Sequence, residues 1–201
     1  IPAFETLPLG PALIRELRSD HAGEIGAVEI YRGILAVSRD PAVRDFARHH
    51  AATEREHRAF FDRWLPPDAR TRARPLWRVA GWVLGAVAAL FGPRAVFCTI
   101  AAVESFVDGH YGAQIDAMAD QPELAPLREV LAAFRDEEIA HRDDAAGRVT
   151  GGGLPARAWG AVIAGVTSPY AHTPATTGSH TYEVRATNAS CTGSWSKPST
   201  A

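Results

Sequence analysis

The stretch Phe134-Arg135-Asp136-Glu137-Glu138-Ile139-Ala140-His141 decides how this chain is read. Glu138 and His141 stand three apart in a segment of helical periodicity, and on a helix residues i and i+3 share a face. Both side chains can therefore approach one metal ion from the same side, as in the Glu-x-x-His element of dimetal sites inside helical bundles. A single pair of this kind usually marks a solvated face. Here the spacing recurs at Glu54-Arg55-Glu56-His57, and a lone Glu inside an apolar stripe precedes each pair, Glu24 before the first and Glu104 before the second.

Working outward, each of these residues occupies a place where its helix asks for an apolar side chain. A helix predicted over about 11–38 carries Leu13, Leu17, Glu24, Val28, Tyr31 and Leu35 on one face. The next, opened by Asp40-Pro41 and closed by Pro66-Pro67, shows Val43, Phe46, His50, Glu54, His57, Phe61 and Trp64. After Gly92-Pro93 come Phe97, Ile100, Glu104, Tyr111, Ile115 and Met118, and after Pro122 and Pro126 come Leu127, Leu131, Phe134, Glu138, His141 and Ala145, with a stop at the glycines 151–153. Arg55, Glu56, Arg58 and Glu137 fall off the stripes and read as solvated charge.

Glu24 is followed by Glu54 and His57, and Glu104 by Glu138 and His141, so the chain reads as two helical hairpins with the same ligand order. Packed as a four-helix bundle, they would direct four carboxylates and two imidazoles into one interior. Without cations that burial sets like charges together at a cost of many kcal/mol. The donor set suits a pair of divalent first-row ions, iron first and manganese second, better than a tetrahedral structural zinc. Tyr31 and Tyr111 each follow the lone Glu of their half by seven residues. Two readings stay open for them, lining of a substrate or electron path and simple aromatic packing. Asp20 and Asp108, one turn from Glu24 and Glu104, are candidates to orient the ligand imidazoles.

Composition sets outer limits. The 201 residues, 46% of them hydrophobic, suffice for one sizeable core. A net charge of −2 excludes the basic footprint of a nucleic-acid binder. Cys98 and Cys191 lie in segments of different character, so no disulfide framework or thiolate metal site is expected, which fits a reducing compartment. The chain begins Ile1-Pro2 without a basic-then-apolar leader, so no signal peptide is expected and a processed or partial chain is.

Residues 79–93 are uncharged and bounded by Arg78 and Arg94. As a helix the run is about 22 Å long, short of the roughly 30 Å hydrocarbon core, so it should not span a bilayer. With Trp77 and Trp82 it suits a helix lying in the membrane interface, and a buried core helix is the competing reading. A short helix is predicted over 154–166, and then the composition changes: residues 167–201 are rich in Ser and Thr, with Tyr182, Val184 and Ala186 alternating as in a strand. The expected division is a helical domain over 1–166 and a tail over 167–201. The words around Tyr182 and Asn188 resemble the closing strand of a fibronectin type III module, of which the tail would be a fragment.

Four groups of residues carry a wider resemblance: Asp20-His21-Ala22-Gly23-Glu24, Glu54-Arg55-Glu56-His57, the run from Ala102-Val103-Glu104-Ser105 to His110-Tyr111, and the opening stretch. In order, spacing and flanking words they resemble the demethoxyubiquinone hydroxylase family of quinone biosynthesis, over roughly residues 12–150. The resemblance implies an all-α, ferritin-like four-helix bundle with an additional interfacial apolar helix. It implies a di-iron monooxygenase that hydroxylates the ring of demethoxyubiquinone or its quinol with O2, electrons coming ultimately from NADH. Its two Fe ions would be held by Glu24, Glu54, His57, Glu104, Glu138 and His141, with no catalytic residue beyond these ligands. It further implies a peripheral membrane protein on the cytoplasmic side whose partners are the lipid surface and the quinone, and pairing of two copies through the apolar helix is a further expectation. A soluble ferritin-like protein that oxidises or stores iron is the alternative, since it would share the six ligands without needing an apolar surface helix. The family continues its last helix where this chain enters the Ser/Thr-rich tail.

Overall fold

The structure, a computed structural model, describes residues 1–149. Among these are five α-helices: α1 (Pro11–Val37), α2 (Pro41–Trp64), α3 (Arg74–Leu90), α4 (Pro93–Ala117) and α5 (Ala125–Gly147). Every one has a proline in its first two positions, where the missing N–H costs nothing and the fixed φ favours helix. Asp40 caps α2 by accepting a hydrogen bond from the Val43 amide at 3.0 Å. Between α3 and α4 the chain turns through Gly92, at φ 93°, a left-handed conformation that glycine adopts without strain.

The expected all-α bundle is the one observed. α1 with α2 and α4 with α5 form two antiparallel hairpins, and α3 is the crossover between them. Two apolar clusters fill the interior. One gathers Ile30, Tyr31, Ile34, Phe46, Phe97 and Ile100; the other gathers Leu17, Phe61, Tyr111, Leu127 and Leu131. Along each bundle helix the predicted ligands fall between the residues that feed the two clusters: Glu24 between Leu17 and Ile30, Glu54 and His57 between Ala51 and Phe61, Glu104 between Ala101 and Tyr111, Glu138 and His141 between Leu131 and Ala145. The hydrophobic core is thus interrupted by one polar layer.

α3 packs chiefly on α1 through glycine. A Cβ on Gly33 would collide with the Trp82 carbonyl oxygen, one on Gly81 with that of Gly26, and one on Gly85 with that of Ile30. Only small residues of α3, Gly81, Gly85, Ala86 and Ala88, are buried. Most of the large ones point outward, with Leu76 66%, Val79 63% and Leu90 73% exposed. The apolar run is therefore neither a core helix nor uniformly exposed; Leu84 lies against the core while the opposite face is open. No helix among the described residues is long and apolar enough to cross a membrane.

One expectation changes in detail. α5 ends at Gly147, before the triple glycine. Cys98 is buried, and the expectation of no disulfide concerns its pairing with Cys191. Cys191, the helix predicted over 154–166 and the tail over 167–201 lie outside the described residues.

Candidate metal centre

All six predicted ligands are buried and converge. Ligand atoms of Glu24, Glu54, His57 and Glu138 lie within 4.8 Å of one another, and so do those of Glu54, Glu104, Glu138 and His141. Glu54 and Glu138 belong to both groups. Each half therefore adds its own histidine and lone glutamate to a shared pair of carboxylates, the arrangement that the repeated Glu-x-x-His spacing requires.

Both imidazoles present Nδ1 to this interior. His57 Nδ1 lies 3.0 Å from Glu138 Oε1 and 3.7 Å from Glu24 Oε2. His141 Nδ1 lies 3.0 Å from Glu54 Oε1 and 3.3 Å from Glu138 Oε2. Several of these approaches lack hydrogen-bond geometry: Glu24 Oε2, Glu54 Oε1, Glu138 Oε2 and His141 Nδ1 are buried without a hydrogen-bond partner. An orphaned buried polar atom destabilises a fold by about 1–3 kcal/mol. Four of them aimed at one interior fit cations as their common partner, so the residues present suit a dimetal group.

Electrostatics points the same way. Burial raises Glu24 and Glu104 well above the usual carboxylate range, and neighbouring carboxylates push them further. Burial, then the charge of Glu138, raises Glu54 to about 7. For His57, burial lowers proton affinity, but the hydrogen bond to Glu138 and the charges of Glu24, Glu138 and Glu54 outweigh it and push the pKa up to about 10. His141 rises to about 9 against the same opposing burial, through Glu138 and Glu54. Burial would raise Glu138, yet the close imidazoles of His141 and His57 bring it down to about 2. Without cations, protons neutralise this layer.

The tyrosines cross between halves. Tyr111 of α4 donates to Glu24 Oε1 of α1 at 2.7 Å, and Tyr31 of α1 makes a longer 3.5 Å contact to Glu104 Oε1 of α4. Burial, followed by the adjoining carboxylate charges, raises both phenols well above their ordinary range, so both hydroxyls stay protonated and donate. Both rings are also core-forming, so position beside the site and aromatic packing are combined.

Other expectations are corrected. Asp20 and Asp108 do not orient the ligand imidazoles. Asp20 takes His110 at 2.8 Å and Gln114 at 2.7 Å, and Asp108 takes Arg135 at 2.6 Å and Arg142 at 2.7 Å, because nearer cations and donors on α4 and α5 claim them. The imidazole neighbour that sequence reasoning placed in solvent is Glu137: its Oε2 lies 2.5 Å from His57 Nε2. A helical stripe gives no signal for that contact, which depends on how α2 and α5 face each other. His50, on the predicted α2 stripe, packs edge-on against His141 at 4.3 Å and pairs with Asp144 at 2.8 Å, without joining either ligand group.

A carboxylate and histidine layer at the heart of a two-hairpin helical bundle defines a class of protein whose core is built around a polar reaction centre instead of continuous apolar packing. The family model of the Ubiquinone biosynthesis protein COQ7 matches residues 11–169. The chain belongs to that family. Among its relatives, a 3-demethoxyubiquinol 3-hydroxylase of Rhodospirillum rubrum is 48% identical over 149 residues, covering 70% of this chain and 69% of that protein. An NADPH-dependent 3-demethoxyubiquinone 3-hydroxylase, mitochondrial, of Dictyostelium discoideum is 40% identical over 134 residues, covering 63% and 60%. A protein of the same description from Homo sapiens is 37% identical over 137 residues, covering 66% and 63%. The chain thus spans between 60% and 69% of the length of these three relatives.

Proposed function

We propose that this chain is a di-iron monooxygenase that hydroxylates the ring of a demethoxyubiquinone or demethoxyubiquinol at a membrane surface, using O2 and reducing equivalents from a nicotinamide nucleotide. The observation that carries the reading is the pair of overlapping ligand groups that share Glu54 and Glu138. Glu24, Glu54, His57 and Glu138 would hold one ion, and Glu54, Glu104, Glu138 and His141 the other. A bound pair of redox-active ions would supply the O2 activation that side chains alone cannot.

The chain's own residues do the rest. Apolar clusters on both sides of the polar layer exclude bulk water, which strengthens every electrostatic interaction inside. Tyr111 holds Glu24 through its hydroxyl, and Glu137 holds the outer nitrogen of His57. Loading requires the protons on His57, His141 and the buried carboxylates to leave. The outward face of α3, with Trp77 and Trp82 half-exposed, is the surface that would meet lipid and receive the apolar tail of the quinone. On this reading the protein is peripheral, on the cytoplasmic side, and pairing of two copies through α3 would compete for the same surface.

The test is incorporation of 18O2 into the ring of a demethoxyubiquinol analogue by purified, iron-loaded protein supplied with NADH. Ring-bound 18O supports the reading. Absence of hydroxylated product, or oxygen derived from water, would overturn it.

A further inference from the structure

The glycines that let α1 and α3 meet backbone to backbone leave no side chain to fill the seam between them. The flanking residues form an open groove of about 450 Å³, with Glu29 and Arg32 of α1 on one wall and Arg78, Val79 and Trp82 of α3 on the other. Glu29 is buried and accepts from Arg32 at 2.9 Å, which fixes that guanidinium at the groove while most of it stays exposed. Arg78 is exposed and has no ion pair among the described residues. Two guanidiniums less one carboxylate leave a single net positive charge, matching one phosphodiester. Guanidinium donors suit phosphate oxygens.

What lies beside the groove identifies the occupant. The exposed Leu76, Val79 and Val83 of α3 extend the same surface. A soluble anion would use the arginines and leave these side chains in water; a molecule that carries both a phosphate and long alkyl chains covers them.

We propose that this groove binds the headgroup of an anionic glycerophospholipid, with Arg32 and Arg78 on the phosphate, Trp82 at headgroup level and the acyl chains along the exposed face of α3. The inference rests on the membrane reading above and adds a lipid preference to it. Each arginine near an anionic surface contributes about fivefold in affinity, so the pair is worth on the order of 20- to 30-fold, with screening by salt.

The test is flotation of the full chain with neutral phosphatidylcholine vesicles and with vesicles containing phosphatidylglycerol. The wild-type protein should bind the anionic vesicles on the order of 20- to 30-fold more tightly. Arg32→Gln combined with Arg78→Gln should remove most of that ratio while leaving binding to neutral vesicles and iron content unchanged. Arg15→Gln with Arg55→Gln, a control of equal charge at exposed positions on α1 and α2, should keep it. Should the loss of Arg32 unsettle Glu29, Arg78→Gln alone decides, with an expected drop of about fivefold. An unchanged ratio in the groove variants, or equal wild-type binding to both vesicles, overturns the lipid site and leaves the membrane reading standing. Failure to bind either vesicle overturns both. Tight binding of soluble glycerophosphate in the absence of vesicles would assign the groove to a free phosphate and overturn the lipid proposal.

Discussion

Glu137 Oε2 of α5 lies 2.5 Å from His57 Nε2 of α2, so a half-exposed carboxylate grips the outer nitrogen of a buried imidazole. That contact places the Nε2 proton and leaves Nδ1 facing Glu138 and Glu24, where a cation would need a lone pair. Partners of this kind typically contribute 10- to 100-fold to metal affinity. Glu137→Ala should therefore weaken iron binding by roughly that factor with helical content unchanged, measured by anaerobic titration against a competing chelator. Wild-type affinity in the variant would mean that the contact does not orient His57.

The pH dependence of the metal-free protein follows from the shifted groups. Glu24, Glu54 and Glu104 have raised pKa values, so their contribution to stability is present below the ordinary carboxylate value and is lost as pH rises, for Glu54 through about 7. His57 and His141 are raised to about 10 and about 9, so theirs is complete below the ordinary histidine value and is lost as pH rises through those values. Glu138, lowered to about 2, acts oppositely: its contribution is present above the ordinary value and is lost as pH falls through about 2. The metal-free bundle should melt at a higher temperature near about pH 5.5 than near about pH 8.5, and metal should add more stability at the higher pH, with protons released on binding. A melting temperature that rises with pH in the metal-free form would contradict the protonation scheme.

The close seam between α1 and α3 gives a contrast between two glycines. Gly85→Ala sets a methyl group against the Ile30 carbonyl and should destabilise by about 2 kcal/mol or more. Gly109→Ala, where an added Cβ meets nothing within 4 Å, should stabilise by about 0.5–1 kcal/mol through helix propensity. Chemical denaturation measures both. Equal effects would mean that the helices are not in backbone contact.

The outward face of α3 predicts a variant that separates membrane binding from metal binding. Leu76→Glu with Leu90→Glu places charge at two of the most exposed apolar positions, 66% and 73% exposed, and should release the protein from vesicles with its iron retained. Turnover should fall for a long-tailed quinone and much less for a short-tailed analogue. Loss of iron together with helical signal would mean that this face is needed for the fold.

The candidate ligands were legible because a glutamate in an apolar stripe violates helical patterning, and Glu24, Glu54, Glu104 and Glu138 commit that violation in repeated order. The orientation of α3 was not legible. Its apolar residues surround the helix, and what selects the buried side is Gly81 and Gly85, which in sequence read only as helix-weakening residues. Glu137 escaped for another reason: a long side chain can reach back across an interface from a position that the stripe assigns to solvent. For Tyr31 and Tyr111 the sequence showed proximity to the ligands, while their pairing across halves depends on how the two hairpins pack.

The sharing of Glu54 and Glu138 by both ligand groups is tested most directly by iron stoichiometry under anaerobic titration. The wild-type chain should bind about two ferrous ions. Glu138→Ala should lose stable binding of the pair, because that carboxylate belongs to both groups, whereas Glu24→Ala should spare the group of Glu54, Glu104, Glu138 and His141 and retain about one. A wild-type chain that binds one ion or none, or a Glu138→Ala variant that still holds both, would contradict the account.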